Sequence, residues 1–184
     1  QASGELLQLP VDRLIRLQHK DASLSRYIGE TGKASFQLLY SPDKEETISI
    51  ASTFKTDALT GDFRFVMDSS LSLTENTYGS LQWEVSPERY SSFFEKASSS
   101  PSCLLHRPTT FRLALSKISC SDKKTGYFCL SLLSEGGIEG KLSSTPLVFY
   151  DHLSKENFIV NNINGSVHAQ NLNDLIQYKF TGNC

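Results

Sequence analysis

The chain has 184 residues, a formal net charge of −2, 39% hydrophobic and 21% charged residues. A protein that binds nucleic acid by neutralising phosphates needs a basic face, so this charge balance argues against nucleic acid as a partner. No apolar run approaches the roughly 18 residues of a transmembrane helix, and the composition is neither collagen-like, coiled-coil nor disordered. The sequence therefore predicts a single β-rich globular domain over residues 1–184.

Apolar and polar residues alternate with a period of two along much of the chain, which is typical of half-buried β-strands. Phe36, Leu38 and Tyr40 alternate with their neighbours, and Leu81 and Trp83 do the same. The predicted strands are 35–40, 47–52, 62–65, 71–73, 81–85, 111–118, 127–133, 147–150, 158–160, 167–169 and 176–180. Short strands at this spacing predict a mainly β fold, either an antiparallel β-sandwich or a barrel.

Three segments lack a clear alternation. The stretch from Pro10 to Ile28 fits both the helical and the strand period, and we favour a strand there. The segments 95–108 and 135–144 predict long loops, which in a compact domain are often functional or mobile. The glycine-rich run 136–140 matches neither the dinucleotide nor the P-loop fingerprint, so we interpret it as a flexible hairpin loop.

One short helix is predicted over residues 86–97. Ser86 is a good N-cap, Pro87 suits the first helical position and Glu88 lies in the first turn. The apolar residues that follow recur at helical spacing and form one face; they are Tyr90, Phe93, Phe94 and Ala97. We expect this helix to cover one open end of the sheet structure.

The four cysteines, Cys103, Cys120, Cys129 and Cys184, form an even set that allows three pairings. The segment between Cys120 and Cys129 is polar at its centre and contains Gly126, so a hairpin centred on residues 124–125 would place these two cysteines opposite each other. Directly opposed Cβ atoms lie about 4.5–5.5 Å apart, which a disulfide bridges with small adjustments. We favour this disulfide over two buried thiols, and a Cys103–Cys184 disulfide then follows by elimination.

Three further features concern the cellular compartment. Asn164-Gly165-Ser166 is an N-glycosylation sequon, and its Asn-Gly step is also typical of an exposed turn. The chain begins at Gln1 without Met, which we interpret either as the end left by signal-peptide removal or as a boundary. Beyond Cys184 we expect room for a downstream tail or membrane anchor. Together with the even number of cysteines, these features favour an extracellular or secretory-pathway location.

The sequence contains no specific signature of catalysis or of a metal site. Cys103 and His106 have the spacing of one half of a zinc site, but too many residues separate Cys120 from Cys129 for the other half. His152 directly follows Asp151, and successive residues of a strand point to opposite faces, so the two cannot pair as in a triad. We therefore predict no catalytic residue, no metal and no cofactor.

These observations predict a non-enzymatic binding module, either secreted or the extracellular or luminal part of a membrane-anchored protein. Its partner would be a protein or a small ligand, bound by the loops 95–108 and 135–144 at one end of a rigid sheet scaffold. Two alternatives remain open. One is a small β-rich hydrolase with a site assembled from residues distant in sequence, and the other is an intracellular interaction protein with reduced cysteines.

Overall fold

The computed structural model describes residues 1–11, 13, 28–42, 47–69, 73–92, 94, 102–120, 136–169 and 177–183, and at 117–120, 136–138, 162, 169 and 177–183 it describes the backbone. The strands are β1 (Ala2–Pro10), β2 (Thr31–Ser41), β3 (Thr47–Thr56), β4 (Leu59–Met67), β5 (Tyr78–Val85), β6 (Cys103–Leu105), β7 (Thr109–Cys120), β8 (Gly136–Ser144), β9 (Leu147–Asp151), β10 (Glu156–Ala169) and β11 (Gln177–Asn183). A short helix, α1 (Pro87–Ser92), follows β5.

The strands form one extended antiparallel arrangement. Their order is β1-β2-β3-β4-β5-β7-β8-β10-β9-β6, and β11 pairs with β10 outside this path. Strand β10 changes partners along its length, because residues 156–160 pair with β9 while residues 164–169 pair with β8. A large sheet of β1–β5, β7, β8, β10 and β11 is therefore joined through β10 to a small sheet of β6, β9 and the first part of β10.

The predicted mainly β fold is confirmed. Every described strand pair is antiparallel, as the alternating pattern requires. The large sheet is not closed into a barrel: among the described strands, β1 pairs only with β2 and has no second neighbour. The two sheets meet where β10 passes from one to the other.

Helix α1 begins at the residue that the sequence predicts. The Ser86 hydroxyl accepts a hydrogen bond from the backbone N–H of Arg89 at 3.3 Å, and the Ser86 carbonyl accepts one from Tyr90 at 2.9 Å. Hydrogen bonds from the Ser86 hydroxyl and from the Glu88 backbone N–H hold the pKa of the Glu88 carboxyl below its usual value. The N-cap is thus confirmed; α1 ends at Ser92, and residues 95–97 of the predicted helix lie outside the described residues.

The glycine-rich run 136–140 is the first half of strand β8, so the predicted loop is wrong. β8 pairs with β7 on one side and β10 on the other. A Cβ at Gly140 would approach the carbonyl oxygen of Ala114 to 2.7 Å, beside a β-bulge between Leu115 and Lys117. Glycine here permits two strands to approach closely instead of marking a turn.

Strand β7 pairs with β8 along residues 111–120. Leu113 lies opposite Leu142, and Gly136 lies opposite Cys120. The predicted strand 127–133 lies outside the described residues. The apolar residues Leu113 and Leu142 face the same side in this register, as the apolar pattern requires.

The beginning of the chain also differs from expectation. Strand β1 was not predicted, because the adjacent Leu6 and Leu7 hide its period of two. Within the stretch for which we favoured a strand, the described residues Val11, Arg13 and Ile28 are helical. Apolar spacing in that stretch fits both periods, and tertiary contacts decide between them.

Candidate binding face

Strand register divides the large sheet into two faces of opposite chemistry, because successive side chains alternate between the faces. On one side, two neighbouring rows of residues run across the strands and contain apolar or small side chains. The first row is Gly4, Phe36, Ser52, Phe63, Gly79 and Leu115. The second row is Leu6, Ala34, Phe54, Gly61, Leu81, Leu113 and Leu142. We call this side the apolar face.

The apolar face continues beyond these two rows without a charged side chain among its described residues. The residues that flank the rows in phase are Leu38, Tyr40, Ile48, Ile50, Thr56, Leu59, Phe65, Met67, Trp83, Val85, Thr109, Phe111, Gly140, Ser144, Ile163, Gly165 and Val167. A surface of this kind excludes ions, since a charge placed against it loses its water without gaining a partner.

The opposite side, which we call the polar face, contains the charged residues of the same strands. One row there is Glu5, Ser35, Thr53, Asp62 and Ser80. The next row is Lys33, Lys55, Thr60, Gln82, Arg112 and Ser143. Hydrogen bonds cross the strands on this face, for example Ser35 Oγ to Thr53 Oγ1 at 2.7 Å and Arg112 to Gln82 at 3.3 Å. The polar face is thus an ordinary solvated sheet surface.

Much of the apolar face remains accessible. Phe36 is 45% exposed and Tyr40 is 54% exposed, although both point to the apolar side of β2. Phe54, Phe63 and Leu81, nearer the middle of the sheet, are half-buried. Aromatic and aliphatic side chains of this size are usually buried in a finished core, so their exposure makes this side of the sheet a candidate contact surface.

Aromatic rings on the apolar face lie over glycines of the neighbouring strand. Phe54 lies directly opposite Gly61 and Phe63 lies opposite Gly79, and a Cβ built on either glycine would overlap the ring. Each ring therefore fills the space above the glycine that the Cβ of a larger residue would occupy. Phe54 and Phe63 are nearly parallel, with 6.1 Å between ring centroids and 10° between planes. Such rings form a low, smooth apolar floor.

The hydroxyl groups at the border of the apolar face are already engaged. Thr56 Oγ1 accepts a hydrogen bond from the backbone N–H of Leu59 at 2.8 Å and donates one to the carbonyl of Ile28. Ser144 Oγ accepts a hydrogen bond from the backbone N–H of Ile163 at 3.2 Å. These groups offer little to a polar ligand, since their hydrogen-bonding capacity serves the protein itself.

At its β5–β7 end the apolar face is covered. Val85, Leu105 and Leu147 form a buried cluster that joins β5 of the large sheet to β6 and β9 of the small sheet. Tyr90 of α1 contacts Phe149 with 5.7 Å between ring centroids, and burial raises the pKa of its phenol. The predicted role of α1 as a cover over one end of the sheet agrees with these contacts.

The turn between β3 and β4 links α1 to the sheet. Asp57 accepts a hydrogen bond from the Arg89 guanidinium, with 2.5 Å between the two atoms. The carbonyl of Ala58 accepts a hydrogen bond from the backbone N–H of Glu84 at 2.8 Å, which connects the same turn to β5. This turn therefore holds the covering helix at the border between the covered and the accessible parts of the face.

Among the predicted disulfide cysteines, only Cys103 has a described side chain. It is half-buried in β6, and its Sγ lies 3.7 Å from the Ser102 hydroxyl. Cys120 ends β7, while Cys129 and Cys184 lie outside the described residues. Both disulfides remain predictions.

The sequon lies in a strand and not in a turn, which corrects that part of the prediction. Asn164 belongs to β10, where it pairs with Ser143 of β8 and Thr181 of β11. The predicted strands 158–160 and 167–169 are therefore parts of one long strand. Asn164 is in phase with the polar face and its side chain is exposed. Glycosylation at this position remains a prediction.

The histidines with described positions are scattered. His168 Nδ1 lies 3.8 Å from Glu139 Oε1 on the exposed polar face, whereas His106 and His152 lie near β6 and β9. Within the described ranges, no group of three or more His, Cys, Asp or Glu side chains is arranged to hold a metal ion. No helix in those ranges is long and apolar enough to cross a membrane.

Sequence reasoning placed binding in the segments 95–108 and 135–144 and did not identify the apolar face. Residues 136–144 are a strand inside the sheet, so they do not form a loop at its edge. The signal for the face was present, because the predicted strands of the large sheet other than 111–118 are free of charge in one phase of their alternation. In 111–118, Arg112 and Lys117 lie in opposite phases, and a register shift between Leu115 and Lys117 separates them. Comparison of the chain with models of protein families, with curated proteins and with solved structures finds no match.

Proposed function

We propose that this protein is a non-enzymatic binding module that holds a small apolar or amphiphilic molecule on the apolar face of its large sheet. The observation that carries the proposal is the separation of the sheet into a charge-free, partly accessible face and a charged face. Binding sites for small molecules are mostly apolar and use few polar groups, and this face has that character.

A peptide strand is a poorer occupant than a hydrocarbon. Laid against the apolar face, the N–H and C=O groups of a peptide strand would lose water and find few free hydrogen-bonding partners. A hydrocarbon needs no such partners, and each buried CH₂ group contributes about 0.8 kcal/mol to binding. The uncharged face is complementary to an uncharged ligand surface, which is why we favour the small ligand over a protein partner.

The proposal is tested with the fluorescent probe 1,6-diphenylhexatriene, titrated into the purified protein. Phe36→Glu places a charge on the apolar face, where Phe36 is 45% exposed. Leu39→Glu is the matched control, since Leu39 is 38% exposed on the other side of the same strand. We expect Phe36→Glu to weaken probe binding at least about tenfold, because an aromatic contact is lost and a carboxylate is desolvated.

Leu39→Glu should change probe affinity less than about twofold, because its side chain lies on the polar face. Circular dichroism and thermal unfolding establish that both variants are folded. No binding of the probe to the wild-type protein, or an equal effect of the two variants, would contradict the apolar face as the binding site. Capture of a protein partner that Phe36→Glu leaves intact would favour the protein-binding alternative.

We also propose a secreted, extracellular or luminal location. The support is the sequon at the exposed Asn164 and the even number of cysteines. The test is the intact mass of non-reduced protein from a secreting eukaryotic host, with thiol alkylation before and after denaturation. Two disulfides and a glycan on Asn164 are the expected result. Four alkylatable thiols and an unmodified Asn164 would contradict the location.

A further inference from the structure

We infer that strand β1 of the large sheet pairs with β1 of a second copy of this chain, so that two large sheets join edge to edge. This inference goes beyond the proposed function and does not depend on it. Within the described part of the chain, β1 has β2 on one side and no strand on the other. A strand in this position presents backbone N–H and C=O groups that fit another extended strand.

The side chains of β1 favour a covered outer edge. Leu6 is in phase with the apolar face and is 53% exposed. Leu7 is 64% exposed and lines a concave part of the polar face together with Lys33 and Lys55. A sheet face in contact with water has polar residues, as β2 and β3 have on this side. Apolar residues on both sides of β1 are instead typical of a strand that has neighbours on both of its edges.

The backbone of β1 also has groups without a partner in β2. A β-bulge lies between Leu6 and Leu9, where two residues of β1 face the single residue Lys33. The extra residue of a bulge is left out of the ladder, so its backbone groups are available to a strand on the outer side. Pro10 lacks an N–H and therefore ends the segment that can pair.

Two-fold symmetry determines which residues of the two β1 strands meet. When a two-fold axis relates two antiparallel strands of one sheet, each residue lies opposite a residue of the same phase. With the axis at Leu6, Leu6 lies opposite its own copy and Leu7 lies opposite Glu5 of the second copy. The apolar faces of the two copies then form one continuous face. An axis at Glu5 would instead place two carboxylates opposite each other, which is unfavourable.

The charges of the polar face favour a second copy over another extended partner. The row that contains Glu5 and Asp62 is acidic, and the neighbouring row that contains Lys33 and Lys55 is basic. Lys33 and Lys55 lie directly opposite each other, an arrangement that is unfavourable for like charges. In the inferred pairing, the basic row of each copy continues through Leu7 into the acidic row of the other copy.

The distance between these charges suits an ion pair between the copies. Lys33 and Glu5 of the second copy are two strand intervals apart, or about 10 Å between Cα atoms. The extended side chains of lysine and glutamate together span this distance. Neither Lys33 nor Glu5 takes part in an ion pair with another described residue of its own copy. Association would therefore give both charges a partner.

The first experiment measures the mass of the purified protein by sedimentation equilibrium from about 1 to about 100 µM, where interfaces of small area associate. We expect a monomer–dimer equilibrium. Leu7→Lys should weaken the dimer at least about tenfold, because it removes an apolar contact and places a third lysine beside Lys33 and Lys55. Leu153→Lys is the matched control, since Leu153 is 83% exposed in the turn between β9 and β10. It should change the dimer affinity less than about twofold.

The second experiment exchanges the two charges. Lys33→Glu and Glu5→Lys should each weaken the dimer at least about threefold, since each places like charges across the interface. The double variant should return to within about twofold of the wild-type affinity, because the attraction is restored with the signs reversed. Circular dichroism establishes that every variant is folded. Single variants that associate like the wild-type protein, or a double variant that is weaker than both, would contradict this register.

Hydrogen exchange locates the contact. Amides of residues 2–9 should exchange more slowly in the dimer than in the monomer, whereas those of β6, at the other end of the strand order, should not change. A protein that is monomeric over the whole concentration range would overturn the inference, as would a dimer that Leu7→Lys leaves intact. Protection of β1 that arises only with a different protein would overturn the second copy as its partner. None of these results involves the fluorescent probe, so they are distinguishable from failure of the proposed function.

Discussion

The two ends of the large sheet share one apolar pattern but differ in what lies against it. Around β5 and β7, residues Val85, Leu105 and Leu147 are almost fully buried because α1 and the small sheet form a second layer. Across β1 and β2, residues in the same phase, such as Phe36, stay about half exposed. A one-sided apolar sheet becomes a core only where a second layer packs on it. The covered end thus contributes to stability, whereas the other end keeps apolar side chains partly exposed.

The largest expected effect is a core truncation at the covered end. Leu105 is 3% exposed. Its substitution to Ala should lower the free energy of unfolding of the protein by about 2–5 kcal/mol, since a cavity forms in the buried cluster. Phe36→Ala at the accessible end should lower the free energy of unfolding by less than about 1 kcal/mol, since the Phe36 ring is about half exposed to water in the folded state. Urea denaturation measures both values. Equal losses would show that the two ends do not differ.

A smaller effect is expected where a buried hydroxyl supports the backbone away from that cluster. Thr77 is fully buried, and its Oγ1 accepts the N–H of Val66 at 3.0 Å while donating to the Val66 carbonyl at 3.2 Å. Thr77→Val should cost about 1–3 kcal/mol, because it leaves both backbone groups without this partner. Thr74→Val is the control, since the hydrogen bond that Thr74 Oγ1 accepts comes from an exposed N–H, that of Asn76. Similar losses for the two variants would refute this interpretation.

The ion pair between Arg89 and Asp57, at the border between the two ends, should contribute less. Because Asp57 is largely exposed, Asp57→Asn should cost about 0.2–1 kcal/mol and the loss should shrink at high salt. Thermal unfolding at low and high ionic strength measures it. If the loss of stability in Asp57→Asn does not depend on salt, Asp57 stabilises the fold through a hydrogen bond or a turn preference and not through its charge.

The smallest effect concerns the turn between β9 and β10. The backbone N–H of Leu153 and the Ser154 hydroxyl stabilise the Asp151 carboxylate and lower its pKa. A lowered pKa stabilises the fold above the ordinary carboxyl pKa, and this contribution is lost as the pH falls through the pKa of the folded state. Asp151→Asn should therefore slightly reduce stability at neutral pH and flatten its dependence on acid. An unchanged acid profile, measured by urea denaturation between neutral and acidic pH, would contradict this role.

The sequence alone predicts those elements whose formation depends only on residues close to each other in the chain. The N-cap of α1 follows from Ser86 and Pro87, because capping needs only neighbouring residues. The strands around Phe36, Ile50 and Trp83 follow from alternation, since burial of one sheet face imposes a period of two. The mainly β fold class can therefore be predicted from local sequence patterns.

Local patterns failed where a distant strand decides the conformation. The local pattern around Gly140 predicts a loop, yet the backbone of β7 approaches this glycine too closely for a side chain. The Asn164-Gly165 step predicts a turn, yet both residues lie in a strand that pairs with β8 on one side and β11 on the other. A glycine has the same local signature in a turn and in a close strand contact, so only its partners distinguish the two.

The sequence by itself determined that the strands other than β7, in which Arg112 and Lys117 lie in opposite phases, have one charge-free side, and this alternation predicts antiparallel sheets. Only the tertiary structure decided the register that aligns these sides into one continuous apolar face, and the position of the second layer that covers one end of it. The physical reason is that alternation is fixed by the backbone of each strand, whereas register and covering depend on contacts between residues far apart in the chain.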